Sequence, residues 1–232
     1  MKILLLSATP FEIAPAREWL AAYFEEKAPH HFTTSKVSVE ILYGGVGLPA
    51  TAFSLGSVLA VRPFDLAIQA GIGGAIDAEL TIGDVVEIIA DRFGDLGAET
   101  ATGGFLDLEA LGLQERQSGI FAAGGQIINP SAKDNDLSLK KARGISVNRV
   151  HGTEESINQL RQRYPEAQVE SMEGAAFFYA CRYHQLPMLQ IRAISNYVEP
   201  RNREAWDIPL AVVELNKVLK ELLSAFANAA NL

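Results

Sequence analysis

The sequence predicts an α/β fold, with one domain in which helices flank a mixed central β-sheet. The strand-like runs are continuous and apolar rather than alternating, which is typical of strands buried on both faces. Helical segments interleave with these runs along the chain. The 232 residues, of which 48% are hydrophobic and 21% charged, suffice for one large core and require no division. We therefore expect residues 1–232 to form a single three-layer domain.

The predicted elements follow one another in a regular order. The strands cover residues 3–7, 37–43, 66–70, 84–90, 145–150 and 189–195. The helices cover residues 15–26, 50–61, 154–163, 173–184 and 209–227. Residues 94–143 are rich in Gly, Asp, Asn and Ser and predict loops around one further strand at 119–123, and the tail at 225–232 is expected to fray.

Charge and composition argue against several classes of partner. A net charge of -8 leaves no broad cationic face for a nucleic-acid backbone. No apolar stretch approaches the roughly 20 residues that span a bilayer, and Pro10 and Glu12 follow the apolar N-terminal run too closely for a signal peptide. The single Cys181 cannot form an internal disulfide, which favours a reducing compartment. We expect a cytoplasmic protein without nucleic-acid or membrane partners.

The sequence contains no motif typical of a metal site or of a serine hydrolase. The four histidines form no H-x-x-x-H or H-E-x-x-H pattern, and one cysteine cannot build a zinc site. Neither Ser7 nor Ser195 lies in a G-x-S-x-G turn. We therefore expect no protein-bound metal.

Glycine-rich segments follow three of the predicted strands, at residues 44–47, 71–74 and 124–125. Glycine lets backbone N–H groups approach a ligand closely, and ligands of open α/β sheets bind outside the carboxyl ends of strands. Taken alone, each segment is more typical of plain turn geometry than of ligand contact.

Three polar residues fall on the same predicted rim. Glu12 begins a helix shortly after the first strand, Glu173 lies at the mouth of an apolar helix, and Asn196 ends the last strand. Each has an ordinary alternative: Glu12 complements a helix dipole, Glu173 caps a helix, and Asn196 forms a turn. Their common position at one rim favours a site in which a carboxylate activates water.

The order of these motifs resembles the nucleoside phosphorylase and methylthioadenosine nucleosidase superfamily over nearly the whole chain. The resemblance rests on Glu12, on residues 71–74 with 82–86 behind them, and on segments 171–176 and 192–195. It implies a nucleoside phosphorylase-like three-layer fold and a small-molecule purine nucleoside as partner. It also implies site roles: Met172 packs on the ribose, Glu173 accepts hydrogen bonds from the ribose hydroxyls, and Gly71, Ile72 and Gly73 line the sugar and base.

The same resemblance favours hydrolysis over phosphorolysis. In the nucleosidase branch the acid that matches Glu12 positions the attacking water, whereas phosphorylases bind phosphate through arginines near the first loop. Residues 7–10 contain no arginine, although Arg17 and Arg62 keep the phosphorylase alternative open. The reaction needs no organic cofactor.

The nature of the base is indicated by Asn196, because adenine-specific relatives have Asp there. An amide can donate to N7 or O6 of a 6-oxopurine, whereas an ionised carboxylate would face O6 with like polarity. Segment 197–206 resembles the futalosine hydrolase branch, which releases hypoxanthine and dehypoxanthine futalosine in menaquinone biosynthesis. For the carboxyphenyl ketone of such a substrate we expect Arg201 or Arg203, together with Trp206, to provide a cation and an aromatic surface.

Three alternatives remain open from sequence. The chain could be a methylthioadenosine/S-adenosylhomocysteine nucleosidase, a purine nucleoside phosphorylase, or a nucleoside-binding protein that has lost catalysis. The resemblance also implies a homo-oligomer, with a dimer as the default expectation.

Overall fold

The central element of the computed structural model, which describes residues 1–114, 119–133 and 137–228, is a mixed β-sheet. The strands are β1 (Lys2–Ser7), β2 (Glu25–Ala28), β3 (His31–Thr33), β4 (Ser38–Tyr43), β5 (Leu66–Ala75), β6 (Val85–Asp91), β7 (Gly97–Glu99), β8 (Phe105–Asp107), β9 (Ile127–Ile128), β10 (Lys140–Ser146), β11 (Val169–Ser171) and β12 (Met188–Tyr197). The helices are α1 (Pro10–Tyr23), α2 (Leu48–Leu59), α3 (Glu154–Arg163), α4 (Gly174–Tyr183) and α5 (Ile208–Asn228).

The strand order places β1, β5 and β12 side by side in the middle of the sheet. The order is β11-β10-β6-β12-β5-β1-β4-β3-β2, with β9 attached to β6. Strands β1, β5 and β12 are parallel, whereas β6 is antiparallel to β12. Strand β11 also pairs with β5 through Val169 and Glu170, so five strands close into a ring. The carboxyl ends of β1, β5 and β12 open at the same edge.

Two helix layers cover the two faces of the sheet. The side chains of β1 alternate between them, as the pleat of a strand requires. Ile3 and Leu5 pack in the cluster that includes α1 and α5, whereas Leu4 and Leu6 pack in the cluster that includes α2 and α4. The predicted fold class, a mixed sheet between helix layers, is therefore confirmed.

The five predicted helices are present, and α3 has the predicted bounds. The strand predicted at 145–150 is wrong in position, because β10 begins at two exposed lysines and ends at Ser146. Its polar first half hides it from a search for apolar runs. The strand predicted at 119–123 is also wrong, since no strand is assigned to these described residues, and Phe121 forms an isolated bridge to Ile127.

The predicted turn at residues 71–74 is wrong, because these glycines lie inside β5. Close approach between strands explains them. A Cβ on Gly73 would lie 2.9 Å from Cγ1 of Val169 and 3.1 Å from the Glu170 carbonyl oxygen, and a Cβ on Gly74 would lie 3.0 Å from Val198. The glycines therefore permit the closure of the ring of strands.

Helix α5 continues through residues 225–228, the first half of the tail predicted to fray, and residues 229–232 of that tail lie outside the described residues. Within the described part of the chain, no helix is long and apolar enough to cross a membrane.

Candidate active site

A cavity of about 430 Å³ lies at the edge of the sheet where β1, β5 and β12 end. The structure brings eight of the ten predicted site residues to its lining: Glu12, Ile72, Gly73, Met172, Glu173, Asn196, Arg201 and Trp206. The remaining two predicted residues, Gly71 and Arg203, do not line this cavity.

The carboxylate of Glu12 is buried and held from two directions. Its Oε2 accepts hydrogen bonds from the Thr9 backbone N–H at 3.0 Å, the Thr9 hydroxyl at 3.2 Å and the Ser7 hydroxyl at 3.1 Å. Its Oε1 accepts a bond from the Ile72 backbone N–H at 3.2 Å. Glu12 thus completes a capping box with Thr9 and also faces the cavity. The helix-end interpretation therefore holds for Glu12, and its position at the cavity leaves the site interpretation as a prediction.

Glu173 precedes α4 as its N-cap residue but makes no capping hydrogen bond. Instead, Oε1 accepts from the Gly47 backbone N–H at 3.1 Å and Oε2 accepts from Nη1 of Arg192 at 3.3 Å. The glycine-rich segment after β4 therefore contributes a backbone donor that orients Glu173. Met172, which precedes it, lines the same cavity.

Arg192 lies in segment 192–195, which carries part of the family resemblance, but the sequence predicts no role for it. It is only 1% exposed, its Nε donates to Gln190 at 3.1 Å, and its Nη1 also donates to the Ile72 carbonyl at 3.3 Å. Its Nη2 is buried without a hydrogen-bond partner in the described ranges, 1–114, 119–133 and 137–228. A cation in a strand predicted to be buried on both faces was the signal that could have identified it.

Gly71 lies beneath two of these charged side chains rather than on the cavity surface. A Cβ at Gly71 would lie 2.6 Å from Nη1 of Arg192 and 2.9 Å from Oε1 of Glu12. The glycine therefore creates the space in which the carboxylate and the guanidinium approach each other.

A β-bulge in β12 sets the direction of the Asn196 side chain. The pairing of β12 with β5 shifts between Ile194 and Asn196, which leaves Ser195 as the extra residue. The Ser195 hydroxyl donates to Oδ1 of Asn196 at 2.8 Å, and Nδ2 of Asn196 donates to the Tyr197 carbonyl at 2.9 Å. The amide is thus fixed in orientation at the cavity wall.

Arg201 and Trp206 form a pair in the loop after β12. The Arg201 guanidinium lies 5.4 Å from the centre of the Trp206 ring, and both side chains line the cavity. Arg203 is exposed in a short 3₁₀ turn, Arg203–Ala205.

A pair that sequence reasoning missed, His151 and Glu170, also lines the cavity. Nδ1 of His151 bonds to Oε2 of Glu170, and the His151 backbone N–H donates to Oε1 at 3.2 Å. Glu170 is 4% exposed, so its carboxylate is removed from water and serves to orient the imidazole. Glu170 directly precedes the motif at 171–176, but nothing in the spacing joins it to His151.

A buried hydrogen-bond network lies behind the cavity. Asp91 accepts from the Ser146 hydroxyl at 2.9 Å, from Nε2 of Gln190 at 3.2 Å and from the Arg92 backbone N–H at 2.8 Å. Burial raises the pKa of Asp91 to about 6, opposed by these hydrogen bonds. Because Gln190 in turn accepts from Arg192, the network supports the guanidinium of the site.

Comparison with known proteins identifies the family. The model of the phosphorylase superfamily matches residues 2–228. The chain is 34% identical to the futalosine hydrolase of Streptomyces coelicolor, covering 79% of this chain and 77% of that protein. It is 32% identical to the futalosine hydrolase of Acidothermus cellulolyticus, covering 93% and 89%.

A solved structure shows the same fold. The 5'-methylthioadenosine/S-adenosylhomocysteine nucleosidase of Colwellia psychrerythraea 34H, in complex with adenine, has a TM-score of 0.75 and 21% identity, covering 97% of this chain and 96% of that one. The nucleoside phosphorylase-like fold is thereby confirmed. The chain therefore belongs to the phosphorylase superfamily and, within it, to the futalosine hydrolase family.

Proposed function

We propose that the protein hydrolyses the N-glycosidic bond of futalosine, releasing hypoxanthine and dehypoxanthine futalosine in menaquinone biosynthesis. The observation that carries this proposal is its relation to the Acidothermus futalosine hydrolase over 93% of the chain. The cavity contains a candidate group for each chemical role that such a reaction needs.

Glu12 is the group that we assign to the attacking water. Its carboxylate is held by four donors, two from Thr9 and one each from Ser7 and Ile72, and Glu12 lines the cavity. Water that donates a hydrogen bond to this fixed carboxylate is oriented to attack C1′ as the bond breaks.

Glu173 is suited to the ribose. Its carboxylate is 5% exposed and fixed by Gly47 and Arg192, and remaining lone pairs of its oxygens can accept from the ribose hydroxyls. Negative charge close to the sugar favours the positive charge that develops there in a dissociative transition state. Met172, on the same segment, provides an apolar surface for the ribose.

The base end of the cavity favours a 6-oxopurine. Asn196 can donate to N7 or O6 of hypoxanthine. Across β5, Glu170 pairs with Gly74, which also pairs with Asn196, so the His151–Glu170 pair lies on the other side of the same strand. If the Glu170 carboxylate accepts from Nδ1–H, Nε2 of a neutral imidazole is an acceptor, which suits the N1–H of hypoxanthine and not the lone pair of adenine N1.

The carboxyphenyl group of futalosine needs a cation and an aromatic surface. Arg201 over Trp206 offers both at the cavity wall, and Arg201 is therefore preferred to Arg203. A guanidinium stacked on an indole remains free to bind a carboxylate through its edge.

Phosphorolysis is less well supported by the positions of the candidate arginines. Arg17 pairs with Glu26 at 3.5 Å, and Arg62 pairs with Glu40 at 2.5 Å, and neither arginine lines the cavity. The second candidate function is a methylthioadenosine/S-adenosylhomocysteine nucleosidase, which the structural similarity to the Colwellia enzyme keeps in view. The neutral amide at Asn196 favours futalosine over this alternative.

We propose that the chain forms a homodimer. We also propose that the protein is cytoplasmic. An open groove of about 520 Å³ between α2 and α4 is lined mainly by apolar side chains, among them Leu48, Phe93 and Tyr183. A contiguous apolar surface of this kind favours contact with a second copy. Sedimentation equilibrium that shows only a monomer would contradict the dimer.

The substrate proposal is tested by incubating the purified protein with futalosine, inosine and methylthioadenosine, with and without phosphate. The released base and sugar are identified by chromatography. Hypoxanthine from futalosine, with no requirement for phosphate, is the expected result. Adenine release indicates the nucleosidase, a requirement for phosphate indicates the phosphorylase, and no cleavage indicates a binding protein.

A further inference from the structure

Helix α1, which carries Glu12, is not regular. Ile13 has φ −122° and ψ 17°, which is outside the helical region, and Pro15 lies within the helix. Proline has no backbone N–H and disturbs the helix one turn before it. The distortion therefore falls on the turn that begins at the proposed catalytic carboxylate.

The side chain of Asn216 on α5 occupies the opening in α1. In a regular helix, the N–H of Ala16 would donate to the carbonyl of Glu12. Here the Ala16 N–H donates to Oδ1 of Asn216 at 2.9 Å, and Nδ2 of Asn216 donates to the Glu12 carbonyl at 2.8 Å. Nδ2 also donates to the Val212 carbonyl on its own helix at 2.7 Å. One amide thus bridges the two groups that the kink separates.

Asn216 is 2% exposed and lies on an otherwise apolar face of α5, between Leu215 and Leu219 of the core. A buried polar side chain in such a face costs free energy unless its hydrogen bonds are made, and here all of its bonds are to main-chain groups. Without it, the Glu12 carbonyl and the Ala16 N–H would be left unpaired or would close on each other and straighten the helix. Either change moves the main chain at Glu12.

We propose that Asn216 is a positioning residue, which acts through the backbone of Glu12 to hold its carboxylate against Thr9 and Ile72 for water attack. The inference rests on the proposed function. It assigns to α5 a part in catalysis that requires no contact with substrate. Because Asn216 acts through Glu12, its contribution should vanish when the Glu12 carboxylate is removed.

Asn129 provides a matched control. It is also 2% exposed, and among the described residues its side chain bonds to main-chain groups, with Nδ2 donating to the Met188 carbonyl at 2.9 Å and Oδ1 accepting from the Ser131 N–H at 3.0 Å. It does not line the cavity around Glu12. Replacing either asparagine removes a buried amide, but only one of them touches α1.

The test compares Asn216→Ala and Asn129→Ala in the wild-type and Glu12→Gln backgrounds. For each protein, kcat and KM are measured with futalosine, and the midpoint of thermal unfolding is measured separately. We expect Asn216→Ala to lower kcat at least tenfold with KM changed less than threefold, and Asn129→Ala to leave kcat within threefold at a similar loss of thermal midpoint. In the Glu12→Gln background, Asn216→Ala should lower the residual kcat less than twofold. Asn216→Ser, which retains one polar group, should fold and show an intermediate loss.

Equal losses of kcat in both backgrounds would overturn the inference, because a purely structural role does not depend on the Glu12 carboxylate. A kcat for Asn216→Ala and Asn216→Ser as high as that for Asn129→Ala would overturn it as well. Wild-type protein that does not cleave futalosine would overturn the proposed function and this inference together, so the two failures are distinguishable.

Discussion

At the scale of single residues, the proposed reaction depends on a carboxylate and a guanidinium that approach each other above a glycine. Ile72 links them, because its N–H donates to Glu12 and its carbonyl accepts from Arg192. The charges of Glu12, Arg192 and Glu173 are thus held by one stretch of β5 and its neighbours. A displacement of about 1 Å in such an arrangement is enough to impair catalysis.

Gly71→Ala tests this close approach. The added Cβ would meet Nη1 of Arg192 at 2.6 Å and Oε1 of Glu12 at 2.9 Å, so both side chains must move. We expect kcat to fall at least tenfold while the protein still folds, as measured by steady-state kinetics and circular dichroism. Gly56→Ala is the control, because nothing lies within 4 Å of its Cβ and it sits in α2. A similar kcat for both variants would contradict the account.

Asn196→Asp tests the recognition of the base. A carboxylate faces O6 of hypoxanthine with like polarity but accepts readily from a protonated N7 of adenine. We expect the ratio of kcat/KM for futalosine to that for methylthioadenosine to fall at least tenfold, measured with both substrates. Asn158→Asp, on α3 away from the cavity, introduces the same charge and should leave the ratio unchanged. An unchanged ratio in Asn196→Asp would remove its assigned role.

The residue types at the rim could be predicted from sequence because motif order fixed Glu12, Glu173 and Asn196. The residues that hydrogen-bond to these side chains could not be predicted. Gly47 lies 126 residues from Glu173, and Ile72 lies 60 residues from Glu12. These hydrogen bonds depend on strand register, which no local pattern encodes.

At the scale of elements, the loop after β12 distinguishes two arginines that sequence could not separate. Arg201→Ala should raise the KM for futalosine at least tenfold and leave the KM for inosine, which lacks a carboxyphenyl group, nearly unchanged. Arg203→Ala removes the same charge from a residue outside the cavity and serves as the control. A rise of KM in Arg203→Ala alone, or in neither variant, would refute the assignment of Arg201.

The network between β6, β10 and β12 gives a pH-dependent stability. The pKa of Asp91 is raised by burial from 3.8 to about 6, so the folded protein retains a proton that the unfolded chain releases in this interval. Protonated Asp91 therefore stabilises the folded state fully below pH 3.8. This contribution to the free energy of unfolding, roughly 3 kcal/mol, is lost as the pH rises to about 6.

Chemical denaturation of wild type and Asp91→Asn at several pH values measures this contribution. The variant has no titrating group at this position, so the free energy of unfolding of wild type relative to the variant should fall between about pH 4 and 7. The difference isolates Asp91 from the other carboxyl groups that titrate in the same range. A difference that stays constant with pH would contradict the buried, proton-retaining state.

Elements could be predicted where an apolar run or a helical period is complete, and they were displaced or missed where exposed polar residues make up part or all of a strand. Helix α3 was predicted at its observed bounds because its helical periodicity is a local signal. Strand β10 was displaced in the prediction because it starts with two exposed lysines, and Lys140 forms an ion pair with Asp84 at 2.9 Å. Strand β2 was missed because all of its residues are exposed.

At the scale of the whole molecule, the ring of five strands and the two helix layers bring three distant segments to one cavity. The first turn of α1, directly after β1, carries Glu12, β12 carries Asn196, and the connection from β11 to α4 carries Met172 and Glu173. The layered fold class followed from apolar runs and helix periodicity. The closure of β11 on β5 did not, because it depends on glycines whose role is visible only when the facing side chains are known.

The most direct test of the account is the rate of hypoxanthine release from futalosine by wild-type protein and by Glu12→Gln in phosphate-free buffer. Single-turnover kinetics with excess protein give the chemical rate and the dissociation constant of futalosine separately. The account predicts release by wild type without phosphate, a rate at least about 100-fold lower in Glu12→Gln, and similar binding by both. Equal rates in the two proteins, or no release until phosphate is added, would contradict it.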